Sequence, residues 1–139
     1  MRDKLLRVLD VNFNRCKEGL RVVEDVFRFV IEDDSLRARI RALRHNLDEF
    51  AQGSLMKEAL AHRNARADIG KKSDALENKR RNIADIVYAN FQRAKESLRV
   101  IEECLKILAP AHVKQIKAAR YKVYSIEKEV LSVIKECAR

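Results

Sequence analysis

Residues 12–25 read NFNRCKEGLRVVED, and residues 90–103 read NFQRAKESLRVIEE. Nine of the fourteen positions are identical at an offset of 78: Asn12/Asn90, Phe13/Phe91, Arg15/Arg93, Lys17/Lys95, Glu18/Glu96, Leu20/Leu98, Arg21/Arg99, Val22/Val100 and Glu24/Glu102. With two residues removed the match resumes, Ile40-Arg41-Ala42-Leu43-Arg44 against Ile116-Lys117-Ala118-Ala119-Arg120. The chain is therefore one unit written twice. Too few copies at too long a period rule out a solenoid. Within each copy the apolar residues recur every three or four positions, the mark of an amphipathic helix. Leu6, Leu9, Phe13, Cys16, Leu20, Val23, Phe27 and Val30 make a first stripe, and Leu36, Ile40, Leu43, Leu47 and Phe50 a second. Ile83, Val87, Phe91, Ala94, Leu98, Ile101, Leu105 and Leu108 make a third, and Val113, Ile116, Val123, Ile126, Val130 and Ile134 a fourth.

Punctuation agrees with that division. Asp33-Asp34-Ser35 interrupts the first two stripes and offers an N-cap. Pro110 ends the third helix and suits the first turn of the fourth. Gly53-Ser54 weakens the end of the second helix, and a short helical run continues to Ala61. Asp74-Ala75-Leu76-Glu77 has the form of a capping box ahead of the third helix. The expected fold is all-α: an antiparallel four-helix bundle of two pseudo-symmetric hairpins, residues 4–52 and 82–136, joined by a basic loop at 62–74. One helical domain fills residues 1–139, and exposed Val22 and Val26 are candidates for a homodimer face.

Composition narrows the class further. In 139 residues there are 3 Gly, 1 Pro and no Trp, too few breakers for a sandwich or barrel built on turns. An α/β barrel needs roughly 250 residues. A hydrophobic content of 47% argues against disorder. No uninterrupted apolar run is long enough to span a membrane, and Met1-Arg2-Asp3-Lys4 leads into an amphipathic pattern rather than a leader. Cys16, Cys104 and Cys137, odd in number and without CxxC spacing, point to a reducing cytoplasm and to packing roles. His45, His62 and His112 have no metal-ligand spacing, and no phosphate-loop, dinucleotide or hydrolase motif occurs. Thirty Lys and Arg against 21 Asp and Glu give a net charge of +9, which calls for an anionic partner.

Four kinds of position carry candidate chemistry. Glu24 and Glu102 fall on or beside the apolar stripes, as do Arg44 and Arg120. A charge there needs a partner. The two readings are an ion pair within each hairpin, or a polar site lined by all four. Asn12, Arg15 and Gly19 form a stripe beside the core face, repeated as Asn90, Arg93 and Ser97. A small residue in mid-helix marks close approach of a helix or a ligand. The segment Arg63-Asn64-Ala65-Arg66-Ala67-Asp68-Ile69-Gly70-Lys71-Lys72 is long and cationic. It could wrap a phosphate, with Asp68 open to a magnesium ion.

The doubled NF-x-R-x-K-E-x-L-R-V-[VI]-E segment, with Arg63 and Asp68-Ile69-Gly70 between the copies, resembles the small all-helical hydroxymethylpyrimidine phosphate kinases of bacterial thiamine biosynthesis. In that family the domain stands alone or is fused to thiamine phosphate synthase. The resemblance covers about residues 4–135; Ile69 and Lys71 depart from the family's usual Asp-Val-Gly, which is often followed by Thr. It implies phosphoryl transfer from ATP, with Mg2+, to hydroxymethylpyrimidine phosphate in the cytoplasm. It assigns Arg15, Arg93, Arg44, Arg120 and Arg63 to phosphates, with Gly70 and Lys71 on the substrate-binding loop. Glu24, Glu102 and Asp68 would hold metal or orient arginines, Asp68 being the metal candidate. Asn12 and Asn90 would read the aminopyrimidine or a phosphate. The competing classes are a helical module that dimerises or docks on the synthase, and a nucleic-acid binder. With 6% aromatic residues and no recognition-helix pattern, nucleic acid is the weakest of these.

Overall fold

A computed structural model describes residues 1–72, 75 and 78–137. Every regular element among them is helical. Four long helices, α1 (Arg2–Val26), α2 (Asp34–Ala51), α4 (Ile83–Leu108) and α5 (Val113–Cys137), are joined by a short fifth, α3 (Ser54–Ala61). The breaks fall where local chemistry sets them. Asp33 accepts a hydrogen bond from the Leu36 amide at 2.9 Å and caps α2. Asn82 does the same for α4, accepting from Asp85 N–H at 2.9 Å, while the Asp85 carboxylate reaches back to Arg81 N–H at 3.1 Å. The capping box expected at 74–77 lies outside the described residues, and the cap of α4 is the Asn82/Asp85 pair. Pro110 opens a single 3-10 turn, Pro110–His112, ahead of α5.

α1 packs most extensively on α4 and also touches α2 and α3; α5 packs on α4 and, less closely, on α2. Cross-helix pairs give the directions. Glu24 meets Arg44 and Lys17 meets Asp48, so α2 runs back along α1. Glu102 meets Arg120 and Lys95 meets Glu127, so α5 runs back along α4. The four stripes converge on one core, in which Leu6, Leu9, Leu20, Phe27, Ile40, Phe91, Leu98, Ile101, Leu105 and Ile116 are essentially inaccessible. Each such side chain contributes about 1.5–3 kcal/mol of burial. Cys16 is part of this core, and burial pushes its thiol pKa up to about 12, so it is a packing residue rather than a nucleophile.

Two expectations need correction. The first stripe ends at Phe27, and Val30 is 54% exposed. Phe27–Ile31 forms a π-helical turn, whose extra residue rotates the downstream side chains off the core face; Glu32, at φ 59°, then turns the chain left-handed into α2. Val26 is buried, because it packs inward just before that turn; of the proposed dimer pair only Val22 is exposed, as is its repeat partner Val100.

Gly19 is explained by packing. A Cβ built on it would lie 2.8 Å from the Asn90 carbonyl oxygen and 3.7 Å from Arg93 Cβ. The α1–α4 crossing is thus closer than any side chain allows. Gly19→Ala is expected to destabilise by about 1–3 kcal/mol despite alanine's better helix propensity, because a backbone carbonyl must move. A urea titration with an unchanged midpoint would show that the crossing relaxes freely.

Candidate functional site

A second set of α1 side chains runs two residues out of phase with the stripe that lines the core. Lys4, Arg7, Val8, Val11, Arg15 and Glu18 recur at helical spacing and face outward beside it. With Asn12 and Asn14 they form one wall of a cleft of about 780 Å³. Arg63, Asn64, Ala65 and Asp68 of the central loop form the second wall, and Arg93 of α4 closes it. That volume lies in the range of small-molecule sites, about 300–1,000 Å³. Two smaller clefts, of about 330 and 550 Å³, lie between α2 and α5 and hold none of the candidate residues.

The loop is tied down at several points. Arg63 donates two hydrogen bonds to the Asp10 carboxylate, at 2.6 and 2.7 Å. Asp10 is 3% exposed, so this is a buried carboxylate answered by a forked guanidinium. The hydrogen bond to Asp10 raises the Arg63 pKa further above the usual arginine value. Arg7 donates to the Asn64 carbonyl at 3.4 Å, and Ala67 N–H donates to the Asn64 side chain at 3.2 Å. Gly70 N–H donates to Asp68 Oδ1 at 2.9 Å, fixing that carboxylate at the rim.

Arg15 and Arg93 stand apart. Both are exposed, and neither has a hydrogen bond or ion pair among the described residues. They are the same position of the repeat, brought to one cleft by the α1–α4 crossing at Gly19. Two unpaired guanidiniums in one concave site, with Lys4 and Arg7 nearby, leave positive potential that an anion would neutralise.

The structure thus gathers Arg15, Arg93, Arg63, Asn12 and Asp68. It does not bring the other candidates to the lining. Glu24 accepts from Arg44 at 2.9 Å, and Glu102 accepts from Arg120 at 2.9 Å and from Arg99 at 3.3 Å. The Glu24–Arg44 and Glu102–Arg120 contacts are the ion pairs within each hairpin, and all four side chains are mostly buried. Asn90 donates to the Ile86 carbonyl at 2.8 Å, and Asn12 likewise to Val8 at 2.9 Å, so each spends one of its two amide N–H groups on its own helix. Gly70 and Lys71 are exposed beyond the cleft lining. Residues that sequence reasoning missed are Lys4, Arg7, Asp10, Asn14 and Glu18, while Asn64 lies within the cationic segment already singled out. The helical spacing of Lys4, Arg7 and Arg15 was the available signal for the wall; Asp10 had none, since its partner is 53 residues away.

Geometry and charge together define a duplicated all-helical protein with a cationic cleft beside the crossing of its two copies. The chain belongs to the ThiD2 family, whose model matches residues 7–129. It is 37% identical over 128 residues to a thiamine-phosphate synthase of Synechocystis sp., covering 91% of this chain and 36% of that protein. It is 38% identical over 125 residues to the thiamine-phosphate synthase of Thermosynechococcus vestitus, covering 89% and 34%. For the thiamine-phosphate synthase of Rhodopirellula baltica the identity is 31%, covering 91% and 34%. The chain spans about a third of the length of these relatives. No solved structure matches it.

Proposed function

We propose that the chain is a kinase of thiamine biosynthesis, transferring the terminal phosphoryl group of ATP to hydroxymethylpyrimidine phosphate. The names of its relatives support the pathway. The observation that carries the reaction is that Arg15 and Arg93 have no partner among the described residues and line a cleft that also holds Arg63 and Arg7. In this reading the four long helices work as one antiparallel bundle of two hairpins, with the cleft on the face where the central loop crosses α1.

The chemistry asks for little beyond such a site. The acceptor is a phosphate oxygen, already anionic near neutral pH, so no strong general base is required. What must be overcome is repulsion between two polyanions and the entropy of aligning them in line. Arg15 and Arg93 supply forked donors to phosphoryl oxygens without first breaking an internal ion pair. Arg63, held by Asp10, presents the loop wall in one orientation. Asn12 keeps its carboxamide oxygen available for an exocyclic amine after donating to Val8.

Among the described residues no group of three His, Cys, Asp or Glu could cage a metal. A Mg2+ bound chiefly through nucleotide phosphates needs only one or two carboxylates. Asp68 fits that, with Oδ1 held by Gly70 N–H and Oδ2 without a partner among the described residues. When bound, the ion would neutralise donor phosphate charge. No helix among the described residues is long and apolar enough to cross a membrane. The kinase reading places the reaction in the cytoplasm, where ATP is supplied.

The test is ATP consumption with Mg2+ and the pyrimidine phosphate, run beside the dephosphorylated pyrimidine alcohol. Diphosphate formed from the phosphate and none from the alcohol is expected. No turnover by folded, metal-replete protein overturns the kinase reading. It would favour the second one, a non-catalytic module that docks on thiamine-phosphate synthase. That reading draws on relatives of which this segment is about a third.

A further inference from the structure

A chain made of two copies of one hairpin has two places for such a cleft. Shifting the α1 wall by the repeat offset of 78 gives its counterpart on α4. Arg15 maps onto Arg93, Asn12 onto Asn90 and Glu18 onto Glu96, so these are kept. Val8 and Asn14 have near equivalents in Ile86 and Gln92, but none of the other charged positions is kept. Lys4 maps onto Asn82, Arg7 onto Asp85 and Asp10 onto Tyr88. Two cations have become an amide and an acid, and the buried carboxylate has become a phenol that is 53% exposed.

The replacements serve other ends. Asn82 caps α4, and Asp85 accepts from the Arg81 amide at 3.1 Å and its guanidinium at 2.9 Å. Asp85 is thereby committed to Arg81 and offers no cation to that face. The Arg63 anchor has no second-copy place either. Its acceptor, Asp10, is missing from the α4 wall, and the loop that bears it lies between the copies and is tied to α1 through Asp10 and Arg7.

We infer that the repeat holds one polyanion cleft rather than two, and that donor and acceptor lie side by side in it instead of one in each half. This rests on the proposed phosphoryl transfer for the identity of the ligands. The cleft's volume of about 780 Å³ is near the upper end for single-ligand sites, leaving room for both. Arg15 and Arg93, at the crossing, reach the cleft from the two helices, so both copies serve one site.

The experiment is calorimetric titration of the full chain with ATP, and separately with the pyrimidine phosphate. One of each per chain is expected. Arg7→Ala/Arg63→Ala should weaken both by about tenfold or more, since each loses charge-assisted hydrogen bonds. Tyr88→Ala/Glu96→Ala, on the counterpart wall, should leave both within about twofold of the parent, a span inside the ordinary effect of surface changes. If the Arg7/Arg63 variant loses its helical circular dichroism, Lys4→Ala, which removes an exposed charge, takes its place. Two ATP per chain overturn the inference. So does a pyrimidine phosphate site lost in the Tyr88/Glu96 variant and kept in the Arg7/Arg63 variant. One site of each kind without turnover would sink the kinase reading and leave the single cleft standing. Turnover with two ATP per chain would do the reverse.

Discussion

Replacing either Arg15 or Arg93 by alanine is expected to lower kcat/KM for phosphoryl transfer by about 10²-fold or more, in a protein that melts close to the parent. The two halves of that expectation have one cause. Neither guanidinium has an internal partner among the described residues, so its removal breaks nothing in the fold. Both are exposed, and substitutions of that kind usually move stability by no more than about 0.5 kcal/mol. Two guanidiniums without partners in one cleft leave positive potential there, which a bound anion would offset. Pyrophosphate should therefore raise the melting temperature of the parent and do so much less for either variant. Arg→Lys should restore charge without the fork and recover activity only in part. Full activity in both alanine variants would mean that the pair faces solvent rather than substrate.

Much of the fold is readable in the residues because helical burial leaves a regular mark. Leu36, Ile40, Leu43, Leu47 and Phe50 are all buried as their spacing requires, and so are Val87 through Leu105 of the third stripe. The pattern fails at Val30, where a π-helical turn inserts a residue; nothing in Phe27–Ile31 announces that, because periodicity assumes a constant number of residues per turn. Repetition marked Arg15 with Arg93 and Glu24 with Glu102 as special, yet it could not separate them. Both pairs are charged and duplicated beside an apolar stripe, and only geometry shows one unpaired in a cleft and the other paired between helices. Lys17 and Lys95 were identical in the two copies, but their acids, Asp48 and Glu127, sit at different offsets in their hairpins, so the pairing was invisible. Asp10 was hidden for the opposite reason. It has no counterpart in the second copy, and its bond to Arg63 is a loop contact that no periodicity encodes.

Glu24→Ala and Glu102→Ala should each cost about 3–5 kcal/mol, the usual penalty for stranding one member of a buried ion pair. Glu24 is 2% exposed and Glu102 3%, so both carboxylates are out of reach of bulk water. Their partners Arg44 and Arg120 have side chains 14% and 13% exposed, too enclosed to recover full hydration by swinging outward. Urea unfolding with an unchanged slope and a lowered midpoint is the expected signature. The paired replacement Glu24→Leu/Arg44→Leu should return most of the loss, because well-packed apolar groups dispense with the desolvation of two charges. Single variants within about 1 kcal/mol of the parent would show that the charges are solvated and the pairing incidental. Activity then separates the two readings that the sequence leaves open. If the leucine pair folds and turns over like the parent, Glu24 and Arg44 fix the register of the hairpin and touch no substrate. If it folds and loses turnover, they belong to the site. The near-identity of the two halves favours register. Both pairs close at 2.9 Å with matching burial, whereas the cleft walls have diverged between the copies. The two ion pairs stay in both halves because each hairpin needs one, whereas of the cleft walls Arg15 and Arg93 persist together because both reach one cleft, and Lys4, Arg7 and Asp10 survive in one half alone.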